Sequence, residues 1–280
     1  MKCMLLGTGA AEGIPALFCK CYICDAAIRS GGRNIRGRSC ALINDRIMID
    51  FPPDMLAYKT RYNLDLTRLT HIFFTHSHID HLAANELCYF HKMYSNRSND
   101  DTILKIYGNS KVLEVIEAAF NFDMGHLPDY VELNLLNAYV KTDTGDAVIT
   151  ALPAVHDTRE NCFIYLLEQN GRLLIANDTA FLSDDVFSFL SGTYLDTVVL
   201  DCTFGRQSSR DGSESSHMCF EENVAVKERL IQQRSADDNT KFISHHFSHN
   251  GSVNYHNFFA LAKNTGFVSS YDGMMIQIGE

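Results

Sequence analysis

Three histidines and one aspartate lie within six consecutive positions, as His76, His78, Asp80 and His81. They follow the apolar stretch His71–Thr75, which is predicted to be a strand. Alternate residues of an extended chain project to the same side, so His76 and His78 would face one point. Asp80 and His81 would turn to a second point where a helix begins. Imidazole nitrogens and a carboxylate oxygen suit Zn, Mn or Fe, whereas a solvated turn or a helix cap by Asp80 does not require three histidines.

A second candidate metal site contains Cys19, Cys21 and Cys24, three cysteines within six residues. The sequence has nine cysteines, an odd number, and its start, MKCMLLGTGAAEG, reaches glycines too soon for a signal peptide. Reduced thiols and a cytoplasmic location are therefore expected, and a disulfide scaffold is not. A Cys-x-x-Cys redox motif at Cys21 and Cys24 is the alternative. The extra Cys19 and the lack of a thioredoxin-like pattern weigh against it.

The composition limits the classes of protein. The 280 residues are 46% hydrophobic, enough to bury a large core, and we expect one domain over residues 1–280 with a cysteine-rich loop around residues 15–27. No run of about 18 apolar residues predicts a membrane span. The formal charge is −10 without a basic run, so no extensive nucleic-acid surface is expected, and an anionic substrate needs a local positive site. The oligomeric state stays open, a homodimer included.

Short apolar strands and a few helices must position these residues. The predicted strands show little alternation, as in strands covered on both faces: Cys3–Leu6, Cys40–Ile43, Ile47–Asp50, His71–Thr75, Ile103–Tyr107, Ala147–Leu152, Cys162–Glu168, Arg172–Ala176, Thr197–Asp201, Lys241–Ser244 and Met274–Ile278. Hairpins are predicted at Asn44–Asp45 and at Asn170–Gly171, whose sequence suits a tight primed turn. Helices are predicted at Leu82–Tyr94, Ser110–Phe120, Leu182–Leu190 and Phe220–Arg234. Together these elements favour two packed sheets with helices outside.

The His-x-His-x-Asp-His element resembles the signature of the metallo-β-lactamase superfamily, and the resemblance extends over nearly the whole chain. It implies an α/β fold, an αββα sandwich of two packed β-sheets with helices on the outer faces. In that family the remaining ligands follow later strands: a histidine, a bridging aspartate and a last histidine. Here these positions are occupied by His156, Asp178 and His246. The adjacent His245 competes with His246 for the last position.

The resemblance therefore implies two divalent catalytic metals, Zn, Mn or Fe. One metal would be held by His76, His78 and His156. The other would be held by Asp80, His81 and His246, and Asp178 would bridge the two metals. Asp80 is counted among the catalytic residues as well as among the ligands.

The cysteines fit a subgroup similar to the phosphoribosyl 1,2-cyclic phosphate phosphodiesterases. That subgroup begins with GTG, continues to G-x-P and then carries Cys-x-Cys-x-x-Cys, as the present chain does from Gly7 to Cys24. A histidine three residues after the last catalytic histidine completes its structural zinc site, and His249 lies three residues after His246. This spacing favours His246 over His245. Three thiolates and one imidazole form a closed tetrahedral zinc site, expected to tie the N-terminal loop to the loop of His246.

Two aspartates and one histidine have supporting roles in this interpretation. Asp50 ends the strand RIMID, where the superfamily often has an aspartate that hydrogen-bonds near the metal histidines, although FPPD replaces the usual glycine nearby. Asp201 ends TVVLD in a similar position. His217 matches a histidine suggested as the general acid of the phosphodiesterase subgroup; a surface histidine near a helix start is the alternative.

Two further segments are interpreted as loops. GTGAAEG has the wrong final spacing for a dinucleotide-binding loop and is predicted to be a tight turn beside the metal cleft. The polar stretches Ser95–Asp101 and Gly205–Ser216 lack apolar anchors, and the second is the better candidate for a mobile loop at the site.

The predicted function is that of a metal-dependent phosphodiesterase for small cyclic or nucleotide-like phosphodiesters. Two metals about 3.5–4 Å apart can hold a bridging hydroxide at neutral pH, which would attack phosphorus while His217 protonates the leaving oxygen. The metals would bind the anionic substrate despite the acidic chain. The alternatives are a tRNA 3′-end endonuclease, a lactone or thiolester hydrolase, and a metal-binding scaffold without catalysis.

Overall fold

The computed structural model describes residues 1–96, 102–207 and 216–279. The strands run in chain order as β1 (Lys2–Gly7), β2 (Cys40–Ile43), β3 (Ile47–Ile49), β4 (His71–Phe73), β5 (Leu104–Gly108), β6 (Val131–Leu135), β7 (Lys141–Asp143), β8 (Val148–Pro153), β9 (Phe163–Glu168), β10 (Arg172–Ala176), β11 (Thr197–Asp201), β12 (Lys241–His245), β13 (Phe267–Ser269) and β14 (Met274–Gln277). They form two seven-stranded sheets, in the orders β14-β1-β2-β3-β4-β5-β6 and β13-β12-β11-β10-β9-β8-β7.

Seven α-helices accompany the sheets within the described ranges: α1 (Tyr22–Ser30), α2 (Met55–Tyr62), α3 (Ala84–Leu87), α4 (Ser110–Met124), α5 (Asp184–Leu190), α6 (Phe220–Gln232) and α7 (Tyr255–Leu261). Short 3₁₀ turns occur at Gly32–Asn34, Leu66–Arg68, Cys88–Phe90 and His249–Gly251. None of the helices in these ranges is long and apolar enough to cross a membrane.

Three hydrophobic layers hold the sandwich together. The middle layer joins the facing sides of both sheets, with Phe73 of β4 and Tyr165 of β9 in edge contact. One outer layer packs α2, α3 and α4 on the first sheet, and the other packs α1, α5, α6 and α7 on the second. Strands such as β11 are therefore buried on both faces, which explains their continuous apolar sequences. The predicted αββα fold is confirmed.

The predicted strands all form, with ends shifted by two residues at most, but some elements carry no apolar signal. Strand β7 is short, polar and largely exposed at a sheet edge. Strands β6 and β13 and the helices α1, α2 and α7 were also not predicted. The helix predicted at Leu82–Tyr94 was wrong in length, because only Ala84–Leu87 is α-helical and a 3₁₀ turn follows it.

Both predicted hairpins form, but the turn of the second differs from the prediction. Asn44 and Asp45 have φ of 49° and 60°, in the left-handed region. Neither Asn170 nor Gly171 has a positive φ, so the primed turn predicted there is wrong. Glycine is needed at position 171 for space, since a Cβ would lie 2.8 Å from the backbone nitrogen of Gly279.

Parallel pairing brings the candidate site together. Strands β3, β4 and β5 are parallel in one sheet, and β10, β11 and β12 are parallel in the other. The carboxyl ends of such strands share one edge, where loops can present side chains to a common cleft. Asp50 follows β3, His76 follows β4, Asp178 follows β10, Asp201 ends β11 and His246 follows β12.

Candidate metal centre

The structure brings the seven predicted cleft ligands into one cluster. Their ligand atoms fall into groups within 4.8 Å of one another, including His76, His78 and His156, then Asp80, His81 and His246, and a group of His76, His81 and Asp178. Asp178 lies between the two triads. Its Oδ2 is 3.2 Å from His81 Nε2 and 3.0 Å from His246 Nε2, and its Oδ1 is 3.9 Å from His156 Nε2.

The donor atoms fit divalent cations. The buried Nε2 atoms of His81 and His246 face the Asp178 carboxylate, and the buried Nε2 atom of His76 makes no hydrogen bond in the described part of the chain. Leaving such an atom unpartnered costs about 1–3 kcal/mol. His156 Nε2 and His78 Nδ1 lie 3.4 Å apart. Donors at about 2.0–2.1 Å from a tetrahedral metal are about 3.3–3.4 Å from each other, so these side chains can hold a metal where they stand.

Oxygen atoms hold the far nitrogens of three of these histidines. His81 Nδ1 contacts Asp50 Oδ2 at 2.7 Å, His78 Nε2 contacts Asp157 Oδ2 at 3.0 Å, and His156 Nδ1 contacts the Ser216 carbonyl at 3.0 Å. Because a carbonyl or carboxylate oxygen accepts the proton of one ring nitrogen, the other nitrogen is left as the metal donor.

Two threonine hydroxyls contact the Nδ1 atoms of the remaining two histidines. Thr75 Oγ1 lies 2.9 Å from His76 Nδ1 and donates to Asp50 at 2.9 Å. Thr203 Oγ1 lies 2.8 Å from His246 Nδ1. Every ring of the predicted ligand set is therefore oriented by an oxygen-bearing neighbour.

Asp201 connects several parts of the cleft. One of its oxygens, Oδ2, accepts the backbone N–H of Asp178 at 3.0 Å and lies 2.9 Å from His217 Nδ1. The other accepts the N–H groups of Thr203 and Met218 at 2.9 Å and 3.1 Å. The fully buried carboxylate thus fixes the backbone around Asp178 and the ring of His217 at once.

The protonation states favour metal binding. Burial raises the pKa of Asp178, but His246 and His81 outweigh it and hold that pKa well below its usual range. Burial, followed by the charge of His81, lowers the pKa of His76 well below its usual value. Metals bind carboxylates and neutral imidazoles, which are the forms favoured at Asp178 and His76. At His81 burial lowers the pKa, but Asp178, Asp80 and Asp50 outweigh it and raise that pKa well above its usual value, so a metal would displace a proton there.

His217 lies beside both triads. Its ring centroid is 4.9 Å from that of His156 and 5.5 Å from that of His246. Burial lowers its pKa, but the Asp201 carboxylate outweighs this effect and raises the pKa of His217 to about 9. His217 is therefore a cleft residue, and the interpretation as a surface histidine is wrong.

The structure separates His245 from His246. His245 points away from the cluster, with Nε2 at 2.7 Å from Ser39 Oγ and Nδ1 at 3.2 Å from Ser270 Oγ. Burial, then His246 and Arg36, lower its pKa to about 3. His246 enters the cluster instead because the chain turns left-handed there, with φ of 60°.

Left-handed backbone is a feature of the site that sequence reasoning missed. Asp50, Asp178 and His246 have φ of 61°, 54° and 60°, each just beyond the end of a strand. Non-glycine residues rarely adopt this conformation, and it concentrates at functional sites. Each of these turns directs its side chain into the cluster.

Several supporting residues were also missed. Asp157 holds His78, and its only sequence signal is its position directly after His156. Glu160 accepts the N–H and Oγ–H of Ser77 at 3.0 Å and 2.7 Å and thereby holds the loop between His76 and His78. Nothing in the sequence around Glu160 points to this contact.

The predicted zinc set of the cysteines also converges. Cys19, Cys21, Cys24 and His249 have their ligand atoms within 4.8 Å of one another. His249 Nδ1 lies 3.5 Å from Cys19 Sγ and 3.4 Å from Cys21 Sγ. Zn–S and Zn–N bonds of about 2.3 and 2.0–2.1 Å place S and N about 3.5 Å apart in a tetrahedron, so the set fits zinc.

Backbone amides support these thiolates. Cys24 Sγ accepts the N–H of Ala16 at 3.3 Å, and Cys19 Sγ accepts the N–H of Cys21 at 3.4 Å. Burial raises the pKa of Cys21, but the Cys24 amide and His249 more than offset it and lower that pKa to about 6. Thiolate, the form that binds metal, is therefore favoured at Cys21.

The cluster opens into a cleft of about 490 Å³. Its walls include Ala10, Ala11 and Glu12, so the GTGAAEG turn lies beside the metal cleft as predicted. A second cleft of about 920 Å³ adjoins it, and His78, His156 and Ser216 line both. Residues 97–101 and 208–215 of the two predicted loose loops lie outside the described residues.

Comparison with known proteins identifies the family. The model of the β-lactamase superfamily domain matches residues 45–236. A curated octanoyltransferase of Porphyromonas gingivalis is 33% identical over 87 residues, which are 30% of this chain and 17% of that protein, so the match spans less than a fifth of the curated relative.

Solved structures share the fold over the whole chain. A diphosphatase of the PhnP family has a TM-score of 0.75 at 19% identity, covering 99% of this chain and 97% of its own. Zn²⁺-bound PqqB from Methylobacterium extorquens also has 0.75, at 16% identity and 99% and 100% coverage. The short form of human tRNase Z has 0.66, at 17% identity and 100% coverage of both. The chain is a member of the metallo-β-lactamase superfamily of hydrolases.

Proposed function

We propose that this hydrolase is a metal-dependent phosphodiesterase acting on small cyclic or nucleotide-like phosphodiesters. The observation that carries the proposal is the position of His217, in the same cleft as the two triads and with its ring held by Asp201 at 2.9 Å. Hydrolysis of a diester expels an alkoxide, which needs a proton, and an imidazole can supply one.

The two triads and Asp178 would hold two divalent metals, Zn, Mn or Fe. When bound, such metals supply Lewis acidity that lowers the pKa of water and neutralises charge on phosphoryl oxygens. The substrate we propose is a small singly charged diester, because no lysine or arginine lines the described part of the cleft and the metals would provide its positive charge.

The side chains of this protein would hold the metals and protonate the leaving oxygen of the substrate. Asp201 holds Nδ1 of His217 and would orient the ring, so that the imidazole can protonate the departing oxygen of the substrate. Asp80 would complete one triad, and Asp178 would join it to the other. A zinc on Cys19, Cys21, Cys24 and His249 would fix the segment that carries His246.

A substrate panel with purified protein tests the proposal. With Mn²⁺ or Zn²⁺ we expect hydrolysis of bis(p-nitrophenyl) phosphate and of a ribose-like cyclic phosphate, and no turnover of phosphomonoesters or β-lactams. Preferred turnover of a lactone, a thiolester or a precursor tRNA over every small diester would refute the phosphodiesterase assignment in favour of that activity.

The His217→Ala variant sharpens this test. Its loss of rate should be far larger with an alkoxide leaving group than with p-nitrophenolate, which departs without protonation. Equal losses on both substrates would remove His217 as the general acid.

A further inference from the structure

The GTGAAEG turn is rigidly attached to the loop that carries His246. The N–H of Ala10 donates to the carbonyl of Phe247 at 3.0 Å, and the N–H of Gly13 donates to the carbonyl of Ala10 at 2.9 Å. The side chain of Arg38 donates to the carbonyl of Ala11 at 2.9 Å. Glu12, the only charged residue of this turn, is therefore fixed at the wall of the cleft.

The Glu12 carboxylate is held on one oxygen. Oε1 accepts the hydroxyl of Ser248 and lies 3.5 Å from His249 Nε2. Because His249 Nδ1 faces the sulfur atoms of Cys19 and Cys21, its proton belongs on Nε2, directed at Glu12.

The second oxygen of Glu12 is available to a ligand. Oε2 accepts no hydrogen bond in the described part of the chain, and 31% of the side chain is exposed. Glu12 lines the same cleft as Asp178, His217 and His246. A carboxylate accepts hydrogen bonds from O–H and N–H donors and repels anions.

Within the metal cleft the charges favour a donor over an anion beside Glu12, whereas Arg36, Arg38 and Arg61 line a separate pocket of about 200 Å³ that Glu12 also borders. Among the described residues that line the cleft there is no lysine or arginine to balance a second anionic group. Asp80 and Asp178, the other carboxylates of the lining, belong to the metal cluster. Glu12 is thus the carboxylate left to meet the organic part of a bound molecule.

We infer that Glu12 forms a donor-binding subsite, which binds a hydroxyl or ammonium group on the organic part of the substrate and disfavours a second anion there. The inference rests on the proposed function in one respect, namely that a phosphodiester anion lies on the metals. It assigns the substrate class as diesters whose ester arm carries an O–H or N–H donor and no further negative charge.

The experiment measures binding without turnover. Four methylphosphonate monoesters, singly charged and tetrahedral at phosphorus, carry a butyl, 3-hydroxypropyl, 3-aminopropyl or 2-carboxyethyl arm. Their dissociation constants for the metal-loaded protein are measured by calorimetry. We expect the hydroxyl and ammonium ligands to bind about tenfold more tightly than the butyl ligand, and the carboxylate ligand more weakly, since hydrogen bonds to charged groups are among the stronger ones.

Glu12→Gln is the informative variant. Its Oε1 can still accept from Ser248 and His249, while its amide N–H₂ replaces the free oxygen in the cleft. The preference for hydroxyl and ammonium arms should disappear and the carboxylate ligand should gain affinity. Glu114→Gln, which removes an exposed charge of α4, is the matched control and should leave all four constants unchanged.

The outcomes separate the inference from the proposed function. Equal binding of all four ligands by the parent protein, or binding of none, overturns the subsite. A parallel loss of all four in Glu12→Gln with reduced zinc content overturns it as well, because Glu12 would then be structural. The expected selectivity without hydrolysis of any diester would support the subsite and refute the phosphodiesterase assignment.

Discussion

The two candidate metal clusters of this chain are assembled in opposite ways. The cleft cluster draws its ligands from loops after strands of both sheets, and oxygen atoms hold each histidine from behind. The cysteine cluster takes three ligands from the short stretch Cys19–Cys24, which runs from a loop into the first turn of α1, and only His249 from elsewhere. The first cluster therefore depends on the completed sandwich, whereas the second ties two loops together.

The clusters meet on one segment. His246 belongs to the cleft cluster and His249 to the cysteine cluster, three residues apart. Damage to the cysteine cluster should therefore reach the cleft through this segment, whereas damage to the cleft should leave the cysteine cluster intact. The comparison thus predicts an asymmetry that variants can test.

The largest effect is expected for Asp178→Asn, which removes the carboxylate between the triads while asparagine tolerates the left-handed backbone. Turnover should fall at least about 10³-fold, since metals contribute several kcal/mol and about 1.4 kcal/mol is a factor of ten. Steady-state kinetics and elemental analysis check it. Zinc on the cysteine cluster should remain, and its loss would contradict the asymmetry.

Cys21→Ser should act mainly on stability. Opening a closed metal site is among the larger single effects, here about 3 kcal/mol, or roughly 5 °C in Tm for a chain of this length. Differential scanning calorimetry measures the shift, and elemental analysis should show one zinc fewer per chain. Unchanged Tm and zinc content would show that the cysteines do not form a structural site. The Cys3→Ser variant, at a buried cysteine outside the cluster, is a control for thiol loss, and its protein should retain the zinc of the cysteine cluster.

The smallest of the three effects is expected for Asp157→Asn. Removing the carboxylate that holds His78 Nε2 should lower activity or metal affinity about 10–100-fold, because such neighbours fix the orientation of a ligand ring. Metal titration followed by kinetics measures both quantities. The exposed Asp129→Asn serves as a control. A Tm shift as large as that of Cys21→Ser would mean that Asp157 supports the fold instead.

The sequence predicted the parts of the molecule that have a local signature. The strands that reach the cleft are continuously apolar, and the histidine and cysteine motifs are compact, so both were found before the structure was known. Strand β7 was not predicted, because an exposed edge strand such as Lys141–Asp143 has no apolar signal. The supporting roles of Glu160 and Asp157 were not predicted. Their partners, Ser77 and His78, are about 80 residues away in the chain, and only the fold brings them together.

The choice between His245 and His246 also depends on structure that the sequence does not reveal. The spacing between His246 and His249 favoured His246 as the ligand. The physical reason why His246 enters the cluster is its left-handed backbone, which begins within one residue of His245. A propensity scale does not report that conformation, because histidine at positive φ is uncommon in any sequence.

The left-handed backbone at Asp50, Asp178 and His246 also restricts how this site can evolve. β-Branched side chains are the most strained there, and glycine, asparagine, aspartate and histidine are the residues that favour this conformation. Among these, only aspartate and histidine offer a strong donor to a metal. A descendant of this protein could therefore exchange oxygen for nitrogen ligands at Asp178 and His246 with little added backbone strain, whereas a cysteine at either position would add strain at a strand end.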